Sequence, residues 1–129
     1  MNKTILVIGS LFGLLSIAFG AFGTHSLKDL ISIEAIQTFE TGVRYQMYHA
    51  IVLLFVGSTT FIQPKAKKTL FYLIIFGVLL FSGSIYGLAT NNLTRFDFKT
   101  IGFITPIGGL LLIISWTLLL ISFLKMKFK

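Results

Sequence analysis

The sequence has no cysteine. That excludes a disulfide frame, thiol redox chemistry and any thiolate metal site. Charge is scarce as well: 12% of the 129 residues are charged, against about 25% in an ordinary soluble domain. Only four residues are acidic and only two are histidine. No HExxH or nucleophile elbow occurs. His25, His49 and Glu40 could form a three-ligand set, but they are spread along the chain without metal-site spacing. A chain that is not an enzyme and binds no cofactor or metal is expected.

What is abundant is apolar surface, at 55% of residues. A soluble fold of this size could not bury that much. A bilayer core of about 30 Å needs about 20 apolar residues per helix. Four runs qualify, at residues 4–22, 42–62, 70–89 and 103–124, and none has a carboxylate in its interior. The expected fold is an all-α membrane protein, a four-transmembrane-helix bundle forming one domain over residues 1–129.

The flanks of these runs set an orientation. One side holds Lys3, Lys65, Lys67, Lys68, Lys125, Lys127 and Lys129, with no carboxylate. The other balances Lys28, Arg44, Arg95 and Lys99 against Asp29, Glu34, Glu40 and Asp97. Lys/Arg excess marks the cytoplasmic side, so both termini are expected inside a bacterial inner membrane. The net charge of +7 therefore reads as topology, with weak attraction to anionic lipid, and not as nucleic-acid binding. The first apolar run begins like a signal peptide but exceeds the usual 7–15 residues of such a segment, which favours a retained span.

Between the first two runs, Ser26 followed by Asp29 reads as a capping-box variant. Ser32 reads as the N-cap of a second, long helix, with Glu34 in its first turn. Ile33, Ile36, Phe39, Val43 and Met47 recur at helical spacing on one face. The pattern predicts one helix from about Ile33 to Ile62, about 45 Å long, with its first third outside the hydrocarbon. Arg44 then sits where the helix enters the interface, with Glu40 in the favourable order for an i, i+4 pair. Tyr45 and Tyr48 suit the interfacial aromatic belt. Gln46 and His49 lie a turn deeper, three residues apart, and should face other helices.

Small residues recur where helices should meet. Gly9, Gly13, Ser16 and Gly20 form a stripe on the first helix, Gly83 and Gly87 a GxxxG on the third, and Gly108 and Gly109 follow Pro106 on the fourth. In lipid such residues let backbones approach. Ser82, Ser84 and Thr105 either bind neighbouring helices or line a cavity at the outer face. Trp116, mid-span, needs a partner for its N–H. Residues 96–103 form an outer loop able to lie across the bundle mouth.

Four blocks, GAFGTHSLK (20–28), FETGVRYQMYHAIVLL (39–54), FSGSIYGLA (81–89) and ITPIGGLLLIISW (104–116), resemble the hallmark segments of the small bacterial membrane proteins grouped as domain-of-unknown-function family 423. The resemblance spans essentially the whole chain. Thr24 departs from it, where a smaller residue such as alanine is expected. It implies a four-helix inner-membrane protein, with related small proteins in eukaryotic membranes, and does not imply an activity. It makes His25, residues 42–49, 82–86 and 105–109 the signature positions.

Two functional readings follow. One is a non-enzymatic accessory or structural bundle that meets a membrane-protein partner or a second copy of itself. The alternative is a small-ligand or ion binding or transport protein whose site is the outer polar cluster His25, Glu40, Arg44, Gln46, His49, Tyr86 and Thr105. Against transport stand the lack of a carboxylate within a span and the lack of discontinuous helices.

Overall fold

The computed structural model describes residues 1–127; Lys129, one of the seven cations of the basic side, lies outside them. Four helices follow in order: α1 (Asn2–His25), α2 (Ile33–Ser58), α3 (Pro64–Ala89) and α4 (Ile104–Leu124). Short 3₁₀ turns occupy Leu27–Asp29, Asn91–Leu93 and Phe98–Ile101, and no strand occurs among the described residues. α1 with the turn after it, α3 and α4 are each long and apolar enough to cross a membrane. α2 matches α3 in length, at 26 residues, but is not in that group, because Arg44, Gln46 and His49 interrupt its apolar run.

Local chemistry explains most of the boundaries. Ser32 Oγ accepts from the Ala35 N–H at 3.1 Å, as an N-cap should. Pro64 occupies the first turn of α3, where its missing N–H costs nothing. α3 therefore begins six residues before its apolar run, since lysines propagate a helix as well as leucines do. α2 stops at Ser58, four residues short of the expected end. Thr59 is extended, and its Oγ1 takes the Phe61 N–H at 3.1 Å. Apolar composition alone carried the expected end to Ile62. The capping box at Ser26 does not form: the Ser26 side chain makes no cap bond, and Leu27–Asp29 is a single 3₁₀ turn.

The helices pack as sequential antiparallel neighbours, α1 on α2, α2 on α3 and α3 on α4. Along α1–α2, Leu6 meets Gly57, Gly9 meets Leu53, Gly20 meets Val43 and Gly23 meets Phe39. Each helix buries a stripe at spacings of three and four: Ile5, Gly9, Phe12 and Ser16 on α1, and Gly108, Leu112, Ser115 and Leu119 on α4. The opposite faces are the more apolar ones. Val7, Leu11, Leu14 and Ile17, and Leu110, Ile113 and Leu120, all stand exposed. This is the reverse of a soluble bundle and is what lipid as solvent demands.

Two apolar clusters result. The larger joins Ile5, Leu53, Val56, Leu70, Ile74 and Leu112. The smaller, near the α1–α2 connection, joins Leu27, Phe39 and Ala89. A layer of buried polar groups separates them. Ile33, placed at the head of the apolar stripe of α2, is 73% exposed; Ala35 and Ile36 are half-buried, and Phe39 is the first fully buried residue of the helix.

The polar layer and the outer groove

The polar layer centres on Gln46, which is 5% exposed. Its Nε2 donates to the Phe12 carbonyl of α1 at 2.9 Å, and its Oε1 accepts from the Tyr86 hydroxyl of α3 at 2.6 Å. The carbonyl can only accept, so the amide orientation is fixed. One side chain of α2 thus joins three helices. Beside it, Ser82 Oγ donates across the seam to the Gly42 carbonyl at 2.8 Å. A Cβ at Gly42 would lie 2.7 Å from the Tyr86 ring, so glycine there sets the close approach of α2 and α3.

His49 faces α4 instead. The Trp116 indole N–H donates to His49 Nε2 at 3.1 Å, and His49 Nδ1 lies 2.7 Å from the Tyr45 carbonyl. An indole only donates, so Nε2 is the acceptor and the ring proton resides on Nδ1, bonded to Tyr45. Both ring nitrogens are engaged. On the α3–α4 seam, Ser84 and Thr105 share a hydroxyl–hydroxyl bond at 2.5 Å. Among the described residues no buried side-chain nitrogen or oxygen lacks a partner.

The expected outer cluster is therefore dispersed. Gln46 and Tyr86 meet in the α1–α2–α3 seam, His49 turns to α4, and Thr105 pairs with Ser84. His25, Glu40 and Arg44 stand exposed and take no part. Arg44 donates to Thr41 Oγ1 at 3.1 Å and not to Glu40, so the expected i, i+4 pair does not form. His25 and Arg44 line a shallow groove between α1 and α2, with a cavity volume of about 510 Å³. Among the described residues no group of three or more His, Asp or Glu could hold a metal ion.

The small residues divide likewise. A Cβ on Gly108 would collide with the backbone of Phe81, and one on Gly9 would lie 3.0 Å from the Leu53 Cβ. Ser16 is buried, its hydroxyl turned back to the Phe12 carbonyl at 2.8 Å. Gly87 is covered by the ring of Phe98, at 2.6 Å from an added Cβ, so the outer loop does reach back onto α3. Gly13, Gly20 and Gly109 would meet neighbours only at ordinary contact distance, from 3.5 Å outward. Gly83 packs against nothing: an added Cβ finds open space.

Two features escaped the sequence reading. Trp116 has His49 as its partner, and only its position mid-span hinted at an inward bond. Lys67, counted as an interfacial cation, is 6% exposed and donates to Asn2 Oδ1 at 3.2 Å; nothing in the local sequence separates it from Lys65 or Lys68.

The model of a family described as "Protein of unknown function (DUF423)" matches residues 19–109. The chain is 37% identical over 123 residues to a Staphylococcus epidermidis protein named UPF0382 membrane protein, covering 95% of this chain and 97% of that one. It is 35% identical to the UPF0382 membrane protein YwdK of Bacillus subtilis, over 95% and 98% of the two chains. It is 29% identical to the UPF0382 inner membrane protein YgdD of Escherichia coli, over 99% and 95%. No solved structure matches. The matched segment holds Arg44, Gln46, His49, Tyr86 and Thr105, and with that match and these near full-length relatives the chain belongs to the DUF423 family of membrane proteins.

Proposed function

We propose that the chain is a single four-span domain of the bacterial inner membrane, with both termini cytoplasmic, serving as a non-enzymatic accessory or structural bundle. The register supports the fourth span. Residues 39–57 of α2 run beside residues 6–23 of α1, so a bilayer that holds α1 holds that part of α2. Gln46 and His49 are then tolerable within it because they bond to neighbouring helices and not to lipid. Residues 33–43 of α2 would stand outside the hydrocarbon, with Arg44 at the interface. The excess of lysine at one end supports the orientation.

The observation that carries the accessory reading is the saturation of the polar layer. Gln46, Tyr86, Ser84 and Thr105 are committed to one another and to backbone, and His49 to Trp116 and to backbone. A catalytic or ion-relay site needs groups aimed at a reacting atom or an ion path. The helices also run unbroken, whereas half-helices frame many transport sites.

The test is purification from native membranes in mild detergent at chromosomal expression level. A stoichiometric membrane-protein partner, or a defined homo-oligomer, is the expected result. Bare monomer would remove the accessory reading. Because the chain lacks cysteine, single cysteines at Glu34, Lys65 and Arg95 report topology separately. Labelling of residues 34 and 95 from outside, with 65 protected, is expected; residue 34 on the same side as 65 would remove the four-span topology.

A further inference from the structure

The polar layer leaves Arg44 and Glu40 unused, and Arg44 lines a groove that combines polar and apolar walls. At its outer end stand Thr24, His25 and Arg44; below them run Ile17, Gly20 and Met47. From His25 to Ser16 the groove follows α1 for about 13 Å, close to the ~15 Å of one hydrocarbon leaflet. It is open along its side, where Ile17 and Tyr48 are exposed. Its shape is that of an amphiphile lying along the helix pair.

Gly20 gives a second, independent observation. Helix approach does not require glycine there, since an added Cβ would meet only Val43 Cγ1, at 3.6 Å. At Gly9 and Gly23, by contrast, the approach is tight. The missing side chain at position 20 keeps the groove open and does little for the α1–α2 seam.

The charges order the headgroup. Arg44 uses one N–H of its guanidinium on Thr41, leaving an edge able to bind a phosphate bidentately. His25 stands beside it in the groove. Glu40 is one turn nearer the outer end of α2, about 6 Å along the axis, on the flank that carries Val43 and Arg44. A cation therefore sits at phosphate depth and a carboxylate farther out. That is the order of a phosphate followed by an ammonium.

We propose that this groove binds one zwitterionic phospholipid of the phosphatidylethanolamine class: phosphate on Arg44, ammonium toward Glu40, and one acyl chain past Gly20. This rests on α1 and α2 both lying in the bilayer, which the single-cysteine map tests by itself. Phosphatidylglycerol fits less well, because its headgroup offers Glu40 no cation. Phosphatidylcholine offers a methylated amine that cannot hydrogen-bond to a carboxylate.

The experiment is native mass spectrometry of the full chain in mild detergent, titrated with phosphatidylethanolamine, phosphatidylglycerol or phosphatidylcholine of matched acyl chains. Wild type should take up one phosphatidylethanolamine in preference to the other two. Arg44→Gln should weaken that adduct by about tenfold, as loss of a charge-assisted phosphate contact does. Glu40→Gln should erase the preference over phosphatidylglycerol. Gly20→Leu, eluting as wild type does, should lose the adduct. Equal uptake of the three lipids, a preference for phosphatidylglycerol in wild type, or an undiminished adduct in Gly20→Leu would each overturn the proposal. Arg44 and Glu40 are exposed, so their variants keep the test decisive if Gly20→Leu does not fold.

Discussion

At the α3–α4 seam, Gly108 lies so near the backbone of Phe81 that a Cβ has no room. At the α2 seam, Gln46 spans from the Phe12 carbonyl to the Tyr86 hydroxyl. The first contact is made by the absence of a side chain, the second by one side chain with two bonds. In water both would be backed by the hydrophobic effect. In lipid the exposed faces are already solvated, so close approach and hydrogen bonding remain as the attractive terms. Steric fit is all-or-none at a backbone contact. A hydrogen bond is graded, because a helix separated in lipid can find other partners.

That difference sets an order of effects, read as shifts in denaturant unfolding of purified variants in micelles. Gly108→Leu should cost more than ~3 kcal/mol, the upper range for overpacking, because the backbone of Phe81 cannot yield as a side chain can. A folded, monodisperse Gly108→Leu would undo the contrast between the seams. Gln46→Leu should cost about 1–2 kcal/mol, from two lost bonds and an unpaired Tyr86 hydroxyl. Trp116→Phe removes one bond to His49 and should cost about 0.6 kcal/mol, the mean for interhelical bonds in lipid. Gly83→Ala should stay within ~0.5 kcal/mol of wild type: it meets open space, and alanine is the better helix former. A Trp116→Phe loss exceeding that of Gln46→Leu would make the α2–α4 bond, and not the three-helix bond, the stronger polar tie.

Much of this was legible in the residues. The Ser32 cap and the start of α2 at Ile33 follow from a short polar side chain before a helical period. That Gln46 and His49 turn inward follows from the cost of leaving them in lipid. Their partners were not legible. Gln46 and His49 differ by three residues, a rotation of roughly 60° in net direction at 3.6 residues per turn, and that is enough to send one to α1 and α3 and the other to α4. Apolar composition also misled at Ile62, since Phe61 and Ile62 extend the hydrophobic run after Thr59 has already ended the helix. Gly83 looked like half of a packing motif, yet spacing along one helix does not say which side a neighbour occupies.

The extensive seams join only consecutive helices. For a chain delivered to the membrane from its N-terminus, each arriving helix finds its main docking surface already in place. α2 closes on α1 as a hairpin, α3 then supplies Tyr86 to the waiting Gln46, and α4 slides Gly108 against Phe81 last. No long excursion must be closed before contacts form, which is the condition for fast assembly. The order of the helices along the chain is thus also the order of their seams, and the glycine contact with the least room belongs to the last seam in that order.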